Sequence, residues 1–169
     1  MNQDGLLALY NYNAYANSLV IETVAQLTEA KFTQASSPSH SSVRELLMHM
    51  LESEAFFLSV CTGHPMEELP SDTTLADIHR FCDNLAKETY DYLVKLTDID
   101  LIQEIEVPIS HQLLRLSKWQ ALVQGFVHST HHRGELSIVL TELGYPLPTL
   151  DIIIQFVEQS RQQWPLKRG

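Results

Sequence analysis

The sequence predicts an all-α fold, a four-helix bundle closed by a short extra helix near the C-terminal end. Three observations predict it. Four long segments carry apolar residues at helical spacing. Clusters of Ser, Gly and Pro punctuate the stretches between them. A chain of 169 residues at 44% hydrophobic content is enough for one domain, spanning residues 1–169, with its own core.

The first helix is expected from about Asp4 to Leu27, where Leu6, Leu9, Tyr10, Leu19, Val20, Val24 and Leu27 recur near the helical period with no proline between them. Phe32 to His40 reads as a polar connection, and Ser36-Ser37-Pro38-Ser39 within it as a stop signal. Ser41 or Ser42 then caps a second helix, with Glu45 at capping-box distance. That helix reaches about Cys61, and Gly63-His64-Pro65 ends it. Thr73 or Thr74 opens a third helix, Leu75 to about Leu96. Between Asp98 and Leu116 the period changes. Ile105, Val107 and Ile109 alternate around Pro108, the pattern of an extended segment or a short hairpin. The fourth helix is expected from near Ser117 to Gly144, and a short fifth from Asp151 to about Ser160. Helical bundles commonly carry metals between facing helices.

Charge and composition narrow the function. The net charge of −10, with 11 Lys+Arg, argues against nucleic acid, whose phosphates are neutralised by clustered cations. The basic end Leu166-Lys167-Arg168-Gly169 is too small to change that. No apolar run approaches the roughly 20 residues of a membrane span. The opening Met-Asn-Gln-Asp-Gly lacks the basic start of a signal peptide, so a cytoplasmic location is expected. Cys61 and Cys82 form no C-x-x-C pair and are expected to be reduced and packed.

Eight histidines are present. His128 and His132 stand four apart and therefore on one helix face, where one ion can take both imidazoles. They line up with Ala121, Gly125, Leu136, Val139 and Leu143, an apolar stripe in which the small residues are expected to leave room for a ligand or water. Buried rings need partners, and a metal supplies one to both. His49, in the apolar run Leu46-Leu47-Met48-His49-Met50-Leu51, is the best third ligand for an open site of three protein donors. His40 and His64 fall at turns, His111 in the irregular segment and His79 near a helix start, while His131 points away from the 128/132 stripe. A hydrogen-bonded histidine cluster without metal is the competing reading. H-E-x-x-H, E-x-x-H, G-x-S-x-G and phosphate-binding glycine motifs are absent. A second apolar stripe, Trp119, Leu122, Val123, Phe126 and Leu140, fits either packing inside the bundle or a homodimer interface.

The block His128-Ser-Thr-His-His-Arg-Gly-Glu-Leu136, followed by Leu143-Gly-Tyr-Pro-Leu-Pro148 and Asp151, resembles the signature of the DinB-like (DinB/YfiT) superfamily. Ser42-Val-Arg-Glu-Leu-Leu-Met-His49 resembles its second-helix motif, and Tyr10-Asn11 with Ala16-Asn17 its opening helix. The resemblance spans nearly the whole chain. It implies an up-down-down-up bundle, often dimeric, and a divalent metal, zinc or nickel, on one histidine of the second helix and two of the long later helix, which map onto His49, His128 and His132. Glu135 stands where the family commonly has Gln; it is expected either to accept a hydrogen bond from a metal-bound imidazole or simply to be solvated. The superfamily includes transferases and isomerases that use bacillithiol, mycothiol or glutathione. The resemblance therefore implies a metal-dependent S-transferase acting on a low-molecular-weight thiol and a small electrophile. A metal-dependent hydrolase with Glu135 or Glu52 as base, and a non-catalytic stress-response bundle with a structural metal, are the alternatives.

Overall fold

The computed structural model describes residues 1–66 and 68–162; the basic end Leu166–Gly169 lies outside the described residues. In chain order the elements are α1 (Gln3–Val24), α2 (Glu29–Thr33), α3 (Val43–Thr62), α4 (Leu75–Leu93), α5 (Asp98–Leu101), β1 (Glu104–Ile109), β2 (Gln112–Ser117), α6 (Lys118–Glu142) and α7 (Ile152–Gln159). The fold is all-α apart from one small hairpin. Helices α1, α3, α4 and α6 are the long ones; α3 and α6 share the most extensive contact, and α1 and α4 close the ring. Leu46, Leu47, Met50 and Leu51 of α3 meet Leu136, Val139 and Leu140 of α6 in the core. No helix among the described residues is long and apolar enough to cross a membrane.

Local chemistry sets the boundaries. Ser42 is the cap of α3, its hydroxyl accepting from the Glu45 N–H at 3.2 Å. Gly63 ends that helix at φ 75°, where a side chain would be strained. Thr74 and Asp77 form a reciprocal capping box at the start of α4. Two expected boundaries are corrected. The first helix stops at Val24 rather than near Leu27 because Thr28 caps a new short helix, α2, whose Phe32 is driven into the core. The third stops at Leu93 rather than Leu96 because Thr97 and Asp100 box a further turn, α5. Leu96 is still buried, so its apolar character reflects the core and not the helix. The segment around Pro108 forms the hairpin, antiparallel from Glu104↔Ser117 to Ile109↔Gln112.

Candidate metal centre

Helix α3 presents His49 and helix α6 presents His128 and His132 across the same crevice. The Nε2 atoms of His49 and His132 each lie 3.1 Å from His128 Nε2. The three ring centroids are 4.4–5.1 Å apart and every pair is edge-on, so the nitrogens rather than the faces converge. The ligand atoms lie close enough together to hold one metal ion. Two nitrogens at the usual zinc distance in a tetrahedron are about 3.3 Å apart, close to the spacing seen here.

The donor chemistry bears on the two readings left open by the sequence. An imidazole nitrogen is sp² and offers either one N–H or one lone pair, in one direction. His128 Nε2 has two ring nitrogens at 3.1 Å and can satisfy only one of them by a hydrogen bond. A cation at the centre uses all three lone pairs at once. His132 Nδ1 is the second indicator. It is buried, makes no hydrogen bond, and has Glu135 Oε2 at 3.9 Å. With Nε2 committed to an ion, Nδ1 would carry the proton on the side of that carboxylate, which at 3.9 Å is near it but not hydrogen-bonded to it. Burial, reinforced by the neighbouring imidazoles, lowers the pKa of all three rings, that of His132 to about 4. The rings are thus neutral at pH 7, the form that coordinates.

A fourth histidine joins them that sequence reasoning missed. His40 lies in the connection before α3, yet its ring stacks on His49 at 4.1 Å and meets His132 edge-on at 5.3 Å. The loop is fastened by Glu135. Its carboxylate accepts from Ser37 Oγ (2.6 Å), the Ser39 N–H (3.2 Å) and Ser39 Oγ (2.6 and 2.8 Å). Burial pushes the Glu135 carboxyl up, but these hydrogen bonds outweigh it and hold the group below its ordinary value. Glu135 is therefore a clamp beside His132 and not a solvated charge. His40, His132 and Glu135 also lie close enough together to hold an ion. That group is the poorer one, since Glu135 and His40 Nδ1 are already engaged by serines.

His131 meets the His132 ring edge-on at 5.1 Å from the outside of the cluster, while His64, His79 and His111 make no ring contact with it. His64, His79, His111 and His131 are exposed. The small residues Ala121 and Gly125 do not leave space for a ligand. A Cβ at Gly125 would already touch Glu54 Cα at 3.5 Å and Phe57 Cβ at 3.6 Å, so they let α3 approach α6 closely. The second apolar stripe is mostly consumed inside the chain: Leu122, Phe126 and Leu140 are buried, and Phe126 packs on Tyr10. Both cysteines are free and buried, and burial pushes each thiol up to about 12, so neither is a thiolate nucleophile.

One turn of phase around α6, Ser129 and Arg133 enter a second polar cluster that sequence reasoning also overlooked. Glu54 of α3 accepts from Asn13 Nδ2 and Asn17 Nδ2, both at 2.8 Å, and from Ser129 Oγ. The same two asparagines turn their oxygens to Arg133 Nη1 at 2.7 and 2.6 Å. A carboxylate and a guanidinium are thus bridged by two amides in the bundle interior. The available signal was Asn13 and Asn17 four apart on an otherwise apolar face of α1.

The DinB family model matches residues 1–163. The chain belongs to the DinB family. A curated relative, protein DinB of Bacillus subtilis strain 168, is 22% identical over 152 residues, covering 84% of this chain and 88% of its own. The fold resembles that of a DinB-like protein from Bacillus cereus ATCC 10987, with TM-score 0.66 and 18% identity over 88% of this chain and 99% of that one. It is also similar to a DinB-like protein from Bacillus subtilis, with TM-score 0.64 and 19% identity over 85% and 97%. A DinB-family structure from Exiguobacterium sibiricum 255-15 aligns at TM-score 0.62 and 16% identity over 89% and 96%.

Proposed function

We propose that this DinB-family chain binds a divalent ion, zinc or nickel, through His49, His128 and His132, and uses it as a thiol-dependent S-transferase. The observation that carries the reading is the meeting of three neutral Nε2 atoms at 3.1 Å contacts that hydrogen bonding alone does not satisfy. A divalent ion held there would lower the pKa of a bound thiol and supply a thiolate at neutral pH. Three neutral imidazoles leave its charge uncompensated, which favours an anionic fourth ligand. The protein's part is to hold three donors in one geometry, to place the Glu135 carboxylate near His132, and to keep one side of the cluster open. The partners in this reading are a low-molecular-weight thiol and a small electrophile, with neither nucleic acid nor membrane. The setting is a cytoplasmic homodimer, for which the exposed Val127 and Ile138 on the outer side of α6 offer an apolar face.

A hydrolase is the second reading, favoured by one observation: Glu52 lines the same groove as His128. Glu135 serves it less well, being tied to the serine loop. Elemental analysis of protein purified without added metal should find close to one zinc or nickel per chain; a metal content below about a tenth of that would sink the site. Cobalt-substituted protein should develop a sulfur-to-cobalt absorption band on adding a thiol. No band with any thiol would remove the transferase and leave the hydrolase.

A further inference from the structure

Beside His128 a groove of about 350 Å³ runs along the crevice between α3 and α6 towards the hairpin. Its walls are Phe56 and Phe57 on one helix and Gln124 on the other, with Ile109 of β1 at the far side. The two phenylalanine rings meet edge to face at 5.2 Å, which holds them as a rigid wall. Ile109 is 39% exposed and contributes apolar surface to the groove. Glu52 is the one charged residue in the lining, and its carboxylate is fixed by the Leu69 N–H at 3.0 Å. Among the described residues no Lys or Arg lines the groove.

We infer that this groove seats the body of the substrate, and that the body is a small, uncharged, apolar or aromatic group rather than an acidic one. The inference rests on the metal reading above for what lies at the His128 end. There a divalent ion already faces at least its own charge in anions: Glu135 beside His132, Glu52 in the lining and one anionic ligand atom. A further carboxylate would be unpaired against Glu52, with no cationic side chain in the lining to receive it. An apolar group instead covers Phe56 and Ile109 and removes their surfaces from water. The occupant is thereby the electrophile, carrying a benzyl-like or alkyl group; a di-acid is disfavoured in the groove itself, and a thiol with carboxylates keeps them outside it.

The test compares two hydroxamates that share a metal-binding head, benzohydroxamate and succinic acid monohydroxamate, on zinc-loaded full-length protein by calorimetry. Benzohydroxamate should bind at least about tenfold tighter. Phe56→Ala and, independently, Ile109→Ala should shrink the gap to about twofold without changing zinc content. Glu52→Gln should tighten the succinyl probe about threefold or more and leave benzohydroxamate unmoved. Equal binding of the two probes, or a preference unaltered in both wall variants, would overturn the inference. A second arm is independent of metal: in chelator-treated protein, benzyl alcohol should shift the amide resonances of Ser53, Phe56 and Gln124. Shifts elsewhere, or none at millimolar probe, reject the groove whatever the metal content. Selective shifts in a protein that takes up no zinc would keep the groove and reject the metal reading instead.

Discussion

Two polar clusters sit side by side on α6, built from the same spacing and opposite in character. His128 and His132 are four residues apart and face the α3 crevice; Ser129 and Arg133 are four apart, one position on, and face the bundle interior. In the second pair nearly every group is answered: Glu54, Asn13, Asn17, Ser129, Thr130 and Arg133 exchange hydrogen bonds among themselves. In the first, three lone-pair nitrogens crowd one point and His132 Nδ1 has no hydrogen-bond partner. A buried polar cluster that closes on itself is scaffold. One whose ring nitrogens converge without a full set of hydrogen bonds offers the donor set a cation can use, and on the proposed function this difference, not burial or composition, marks the working side of the helix.

The largest effect should come from opening the closed cluster. Glu54→Ala strands a buried guanidinium and three donors, and breaking such a pair costs about 3–5 kcal/mol. Thermal unfolding followed by circular dichroism should show a fall on the order of 10 °C, with or without metal. A fall that vanished on adding zinc would mean the two clusters are one.

The open cluster should behave in the reverse way. His128→Ala should change the stability of metal-free protein little, while abolishing the gain from zinc. In the wild type, free zinc at about 100 times Kd adds about 2.7 kcal/mol. Denaturant midpoints with zinc and with chelator measure both quantities, and a zinc response surviving in the variant would move the site elsewhere.

Acidity should separate the clusters next. His132 titrates near 6.5 in the unfolded chain and near 4 in the fold. Between those values the unfolded state binds more protons, so metal-free protein should lose stability as pH falls from about 6.5 towards 4 and show no such dependence above. Urea midpoints across that window, compared with His132→Ala, give the test; equal slopes would exonerate the ring.

The smallest effect belongs to the clamp. Glu135→Ala removes the acceptor for Ser37 and Ser39 and should cost about 1–2 kcal/mol. Its signature is local: hydrogen exchange at the Ser39 amide should accelerate while the Leu47 amide keeps its protection.

These contrasts also explain what was legible beforehand. The long helices, the hairpin around Pro108 and the grouping of His49 with His128 and His132 follow from periodicity, which is a local property. The sequence places His40 at a turn, correctly as to its backbone. What brings it to the site is a serine loop held by a residue 96 positions away, and no window of sequence contains that contact. Glu54 escaped for a related reason: on a helical wheel it is one of three acidic residues of α3, and the partners that set it apart come from α1 and α6. The family signature drew attention to Arg133 without disclosing that its side chain turns inward.

His40 lying flat on His49 has a kinetic consequence. An imidazole pinned face to face against another cannot readily rotate end over end, so the His49 nitrogen points at the centre before anything arrives. Capture of an ion should then proceed in one step, at a pace set by shedding of hydration water, with no slow rearrangement to follow. Freeing that ring by His40→Ala should add a second, lagging phase to a stopped-flow trace of cobalt uptake.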